Sequence, residues 1–145
     1  MKINLKKSLD NAMVPHYGSD YAAGGDLYAV VEEGSVNIAP GETAFIHTGI
    51  HVEIPVGYYG AVYARSGLSC KQGLAPANKV GIIDSDYRGE IMVALYNQSN
   101  EVRIIKTGDR IAQMIISSFI RADYVVVDEL DDTARGNGGF GSTGK

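Results

Sequence analysis

The sequence contains no tryptophan, one cysteine and only four prolines among its 145 residues. A single thiol, Cys70, excludes an internal disulfide and favours a reducing compartment. Without a CxxC partner it is expected to be a small buried residue. No apolar run approaches the ~20 residues of a membrane-spanning helix, and Met1 to Asp10 is too charged for a signal peptide. A soluble cytoplasmic protein is therefore the expectation. Positive charge is also scarce: 13 Lys and Arg against 17 Asp and Glu leave a net charge of −4. That balance provides no basic footprint for gripping nucleic acid directly, although a free nucleotide needs only a few local arginines. His16, His47 and His51 lack the spacing of a metal site, and the latter two are expected to face solvent or a polar neighbour.

Glycine is plentiful instead. Eighteen glycines and 45% hydrophobic residues fit a globular chain with many tight turns, long enough for one domain that buries roughly 70% of its unfolded surface. Short apolar or alternating runs recur between turn residues. Ile3 and Leu5 alternate with Lys2, Asn4 and Lys6. Leu27 to Val31, Val36 to Ile38, Thr43 to Ile54 and Tyr58 to Ala64 follow, with Gly49 a bulge or turn. Val102 to Ile105, Asp109 to Ile116 and Tyr124 to Val127 complete the set, and only Ser66 to Gly73 suits a turn or two of helix. The pattern predicts an all-β sandwich or barrel over residues 1–130. Residues 131–145 form a separate tail. From Gly136 to Lys145, five of ten residues are glycine and Phe140 is the only hydrophobic one. Such a segment cannot offset its ordering entropy alone and is expected to be mobile in the free protein.

The central stretch is Gly81-Ile82-Ile83-Asp84-Ser85-Asp86-Tyr87-Arg88-Gly89-Glu90. Strand spacing puts Asp84 and Asp86 on one face if the chain stays extended, whereas Ser85, Asp86 and Gly89 argue for a turn. Beyond Gly89, Ile91, Val93 and Leu95 alternate against Met92, Ala94 and Tyr96. The stretch is expected to be a β-hairpin with a charged, aromatic tip, where Asp86 and Arg88 form a structural ion pair. Arg65-Ser66-Gly67-Leu68-Ser69 offers a planar fork for phosphate oxygens, a hydroxyl, and a glycine that lets backbone N–H groups approach a ligand. A capping Ser beside a surface Arg accounts for the same residues. In Gly108-Asp109-Arg110-Ile111-Ala112-Gln113, alternation places Arg110, Ala112 and Met114 on one face and Asp109, Ile111 and Gln113 on the other. A buried Gln113 then needs a hydrogen-bond partner.

Together with Ala23-Gly24-Gly25-Asp26-Leu27-Tyr28-Ala29, Asn78-Lys79-Val80-Gly81 and the run from Arg135 to Gly144, these stretches stand in the order of five family motifs. From about Ala22 to its last residue the chain resembles the homotrimeric dUTP pyrophosphatases (dUTPases). One departure is Ala64, where the family usually has proline before the arginine. The resemblance implies a jelly-roll-like, distorted β-barrel with one short helix, and a homotrimer. It implies Mg²⁺-assisted hydrolysis of dUTP to dUMP and pyrophosphate, with water attacking the α-phosphorus. That reaction limits uracil incorporation into DNA and supplies dUMP for thymidylate synthesis.

The resemblance also distributes roles. Asp84 is the general base. Asn78, Gly81, Ile82, Ile83 and Met92 surround base and sugar, and Tyr87 packs on the deoxyribose so that a ribose 2′-hydroxyl would meet a ring face. Arg65, Ser66, Gly67 and Gln113 serve the phosphates, an ordinary sheet hydrogen bond being the competing account of Gln113. In the tail, Phe140 stacks on uracil while Arg135, Gly141, Ser142 and Thr143 wrap the β- and γ-phosphates. Asp26 reaches the magnesium through water, the ion being held mainly by the triphosphate. Each active site draws motifs one, two and four from one subunit, the hairpin from another and the tail from the third. A dCTP deaminase shares the fold in family terms but lacks this tail. A catalytically idle relative acting as a protein-binding module would not need Asp84, Tyr87 and the tail together, and a plain structural β-domain leaves five ordered motifs unexplained.

Overall fold

Short apolar runs separated by glycine and proline build short strands. The computed structural model describes residues 1–139. In chain order these form β1 (Asn4–Lys7), β2 (His16–Tyr17), β3 (Gly25–Tyr28), β4 (Val36–Ile38), β5 (Thr43–Ile46), β6 (Ile50–Glu53) and β7 (Tyr58–Tyr63). Helix α1 (Ser66–Gln72) follows, then β8 (Leu74–Pro76), β9 (Gly81–Ile83), β10 (Val93–Asn97), β11 (Arg103–Ile105) and β12 (Arg110–Ser118). The described residues are mostly β with one short helix, as expected. β2 and β8 lie outside the expected runs, being too short to leave an alternating pattern.

The ladders are antiparallel, and among the described residues they form four sheets rather than a closed barrel. The largest has the order β2-β3-β12-β7-β9, the next β5-β10-β8, and β1-β6 and β11-β4 complete the set. The core lies where their apolar faces meet. Leu27, Ile38, Ile46, Ile50, Ile54, Leu74, Ile91, Leu95, Ile105 and Ile111 are fully enclosed there, each burial contributing roughly 1.5–3 kcal/mol. β10 shows the alternation expected from its sequence, with Val93 and Leu95 inside and Tyr96 outside. Asn97 ends that inward row. Its amide donates to the carbonyls of Ile38 and Glu101, both at 2.8 Å, and its oxygen accepts from Ser99, so the polar group is satisfied in the core.

Gly49 is where the long run from Thr43 to Ile54 changes sheets. Its φ of +66° and the 2.7 Å that would separate a Cβ from that of Ala12 leave room for glycine alone. α1 runs as expected and stops at Gly73, which has a left-handed φ of 68° and donates back to Ser69. Only Leu68 packs against the core. Cys70 faces outward and is exposed, contrary to the expectation of burial, because a seven-residue helix on the surface has one narrow inward stripe.

Two strand expectations are corrected. Tyr124 to Val127 joins no sheet and is exposed, Val126 to 98%; β-propensity is present there, but no neighbouring strand of the described chain lies beside it. The central stretch is not a paired hairpin. β9 pairs with β7, while β10 pairs with β5 and β8. Ile91 N–H binds Ile50 O, drawing the second arm into another sheet, so the stretch is an arch between two layers.

Candidate active site

The predicted residues gather in two separate clefts. One, of about 380 Å³, opens between the arms of the arch and is lined by all seven predicted hairpin residues: Asn78, Gly81, Ile82, Ile83, Asp84, Tyr87 and Met92. Phe45 and Glu90 also line it, with Val62, Pro76, Val93 and Ala94. The chain turns at Asp84, whose carbonyl accepts Tyr87 N–H at 3.2 Å, as Ser85, Asp86 and Gly89 suggested. The Asp84 side chain is exposed in this cleft. The Tyr87 hydroxyl donates to Glu90 O at 3.0 Å. A Cβ on Gly89 would overlap that phenol, which is why glycine stands there. Asp86 and Arg88 do not pair. The turn curls the Arg88 guanidinium back onto Ser85 O at 2.7 Å and Tyr87 O at 3.0 Å, with Glu53 3.7 Å away.

The second cleft, of about 230 Å³, contains Asp26, Arg65, Ser66, Gly67 and Gln113. Asp26 is nearly buried on β3. Its Oδ1 accepts Arg65 Nε at 2.7 Å and its Oδ2 accepts Arg110 Nη1 at 3.2 Å. Arg65 is the N-cap of α1 and Ser66 its first helical residue, so Ser66 is not the cap. Gln113 donates to Ala64 O at 2.9 Å, the hydrogen bond its partial burial requires. Its Oε1 lies where a Gly24 Cβ would approach to 2.7 Å, so Gly24 makes space for it.

Arg110 is absent from the residues expected here. Alternation put it opposite Gln113, but the register against β3 shifts between Arg110 and Ala112. This bulge turns both Arg110 and Gln113 toward Asp26. Glu90 was also missed; a carboxylate directly before the buried Ile91 was the available signal. Burial alone would raise its pKa, but the His47 ring and the Gly49 and Thr48 amides together hold it below the usual Glu value. His47 Nδ1 lies 2.8 Å from Glu90, and His51 Nδ1 lies 2.9 Å from Arg88 O, the polar neighbours expected of them.

Arg135 stands apart from both clefts' linings, its Nε donating to Gly138 O at 2.8 Å. Phe140, Gly141, Ser142 and Thr143 lie outside the described residues. No group of three or more His, Cys, Asp or Glu suited to a metal occurs among the described residues. Asp26 has an arginine on each oxygen, and each oxygen keeps a further lone pair for water. That donor set does not cage a resident cation. It fits an ion that arrives on phosphates with its own waters.

A family model described as dUTPase matches residues 10–144. The chain is 48% identical to the deoxyuridine 5′-triphosphate nucleotidohydrolase of Nautilia profundicola, over all of both chains. It is 51% identical to that of Desulfitobacterium hafniense, over 90% of this chain and 87% of the relative. Among solved structures, a mutant Staphylococcus bacteriophage 80alpha dUTPase with dUpNHpp superposes with a TM-score of 0.86 at 27% identity, over 99% of each chain. A mutant dUTPase from phage phi11 of S. aureus, solved to show the coordination of a structural Mg(II) ion, reaches 0.78 at 26% identity, over 89% of this chain and 98% of that one.

Proposed function

The chain belongs to the dUTPase family, and from that premise we infer that it hydrolyses dUTP to dUMP and pyrophosphate. It is a dUTP diphosphatase, an enzyme that keeps uracil out of DNA and supplies dUMP for thymidylate synthesis. One observation supports the finer reading best. Among the described residues, the arch cleft has an exposed carboxylate, Asp84, and no Lys or Arg in its lining. The other cleft has two arginines, and the one carboxylate that the described residues place in it is paired to both. Neither can perform the reaction alone. A jelly-roll-like homotrimer with shared sites unites them: the arch of one subunit faces the arginine cleft of a second, and the tail of the third, residues 131–145, closes over both.

In this reading the arch holds uracil among Asn78, Gly81, Ile82, Ile83 and Met92, and the deoxyribose lies on Tyr87. Arg65, Ser66, Gly67 and Gln113 hold the phosphates, with Arg110 beside them. Asp84 takes a proton from the water attacking the α-phosphorus. The substrate is the magnesium complex of dUTP, and the ion offsets charge on the phosphates; Asp26 accepts from one of its waters. Phe140 stacks on the base, and Arg135, Gly141, Ser142 and Thr143 wrap the terminal phosphates, excluding water. Positioning and charge stabilisation supply most of the rate. No helix of the described residues is long and apolar enough to cross a membrane, and we place the enzyme in the cytoplasm.

The test is a product assay with dUTP, dTTP, UTP and dCTP in parallel, with Mg²⁺, following nucleotides and pyrophosphate. Release of dUMP and pyrophosphate from dUTP alone is expected. Tight dUTP binding without turnover would instead indicate a binding module, and ammonia from dCTP a deaminase.

A further inference from the structure

The two arms of the arch belong to different sheets, so no ladder of backbone hydrogen bonds sets the width of the cleft between them. Beside the bonds from Ile91 N–H to Ile50 O and from the Thr48 hydroxyl to Ile91 O, one residue ties its walls together, its carboxylate reaching one and its main-chain carbonyl the other. Glu90 Oε1 accepts Thr48 N–H at 3.1 Å and Gly49 N–H at 2.7 Å, while Oε2 faces His47 Nδ1 at 2.8 Å. An ionised carboxylate only accepts, so the His47 nitrogen is the donor. These three residues directly follow β5, whose Phe45 forms one wall of the cleft and is 68% exposed, with no share in the core. On the other wall, the Glu90 carbonyl accepts the Tyr87 hydroxyl at 3.0 Å. Glu90 therefore links the Phe45 wall to the Tyr87 wall through four hydrogen bonds.

We propose that Glu90 is a positioning residue that sets the width of the base-and-sugar slot and thereby the preference for uracil over thymine nucleotides. The inference rests on the reading of this cleft as the base slot. A slot distinguishes a C5 hydrogen from a C5 methyl only if its walls do not yield, and one methyl against a firm wall is worth roughly 10–200-fold. Hydrogen bonds to a charged group are the stronger kind, and three of them converge on this carboxylate.

The experiment measures kcat and KM for dUTP and dTTP in Glu90→Ala, Glu90→Asp and Glu90→Gln, with melting temperature and oligomer mass alongside. Glu90→Ala raises KM for dUTP by roughly tenfold or more, narrows the dUTP-to-dTTP ratio of kcat/KM by a similar factor, and leaves kcat within about threefold. Glu90→Asp, one methylene short of both amides, shifts both readouts in the same direction, and it decides the matter if the alanine variant does not fold. Glu90→Gln keeps an oxygen for both amides and restores most of the ratio. A merely structural Glu90 lowers the melting temperature without moving KM or the ratio, and that result overturns the proposal. Tyr87→Ala separates the two failures. If it also leaves KM and preference unchanged, the base-slot reading is wrong; if it alters them while the Glu90 variants do not, only the role of Glu90 is wrong.

Discussion

Arg110 and Gln113 project to the same side of β12, three positions apart with only two residues between them, and both line the cleft that contains Asp26 of β3. In a regular strand that spacing would place them on opposite faces. The extra residue, Ile111, is completely buried and absorbs the shift. The bulge thus assembles a cleft in which two guanidiniums flank one carboxylate, a charge arrangement suited to oligophosphate.

Gly24→Ala tests whether Gln113 reaches the substrate. The new Cβ would meet Gln113 Oε1 at 2.7 Å, and that flexible end can swing away, losing its hydrogen bond to Ala64 O. Stability is expected to fall by only about 1 kcal/mol, while kcat/KM falls by roughly tenfold or more. Thermal melting and steady-state kinetics check both; unchanged kcat/KM would remove Gln113 from the phosphate site.

Asp84→Asn should preserve fold and dUTP binding, because the side chain is exposed in the cleft and supports no core contact. Turnover should drop by at least ~100-fold, the lower end of general-base effects. Near-normal turnover would exclude Asp84 as the base.

Shared sites predict complementation. Arg65→Ala and Asp84→Asn subunits are each expected to have little activity alone. When they are denatured, mixed equally and refolded together, about a quarter of the sites in random homotrimers combine an intact arch with an intact arginine cleft. Recovery of that order is expected in a dUTP assay. No recovery from well-formed mixed trimers would mean that each subunit carries a self-contained site.

Acid should weaken the protein partly through Glu90. Its folded pKa is lowered, so the carboxylate contributes stability that is fully present above its unfolded value, about 4.3. That contribution is lost as pH falls through the lower folded value. Denaturant titrations between about pH 6 and 3 should show a shallower acid loss in Glu90→Gln than in the parent. Parallel curves would contradict this linkage.

Much of the fold is legible locally. β4 falls on its expected run from Val36 to Ile38, α1 begins at Ser66 and stops at Gly73, and the inward row of Ile91, Val93 and Leu95 is buried. Much of each cleft's lining is legible as well, since the motifs named Asn78, Gly81, Ile82, Ile83, Asp84, Tyr87 and Met92 in one and Asp26, Arg65, Ser66, Gly67 and Gln113 in the other. Other lining residues received no role from the motifs and are recruited by geometry. Arg110, Glu90, Gly24 and Phe45 are such recruits. Nothing in their immediate neighbours announces a bulge or a space shaped for Gln113, and for Glu90 the only local signal is a carboxylate directly before the buried Ile91. Tyr124 to Val127 errs the other way: its composition favours a strand, and the described chain has no strand beside it.

Sequence alone determined where the chain turns, which side chains point inward along the regular strands, and which chemical groups are on offer. Those properties depend on backbone sterics and on side-chain alternation between residues a few positions apart. The tertiary structure decided which strands become neighbours, and with that the division of the arch between two sheets and the meeting of Asp26 with Arg110, 84 residues away. Periodicity repeats identically whichever partner a strand takes. The choice among partners is made by fitting buried faces together, and that fit exists only once the whole chain has folded.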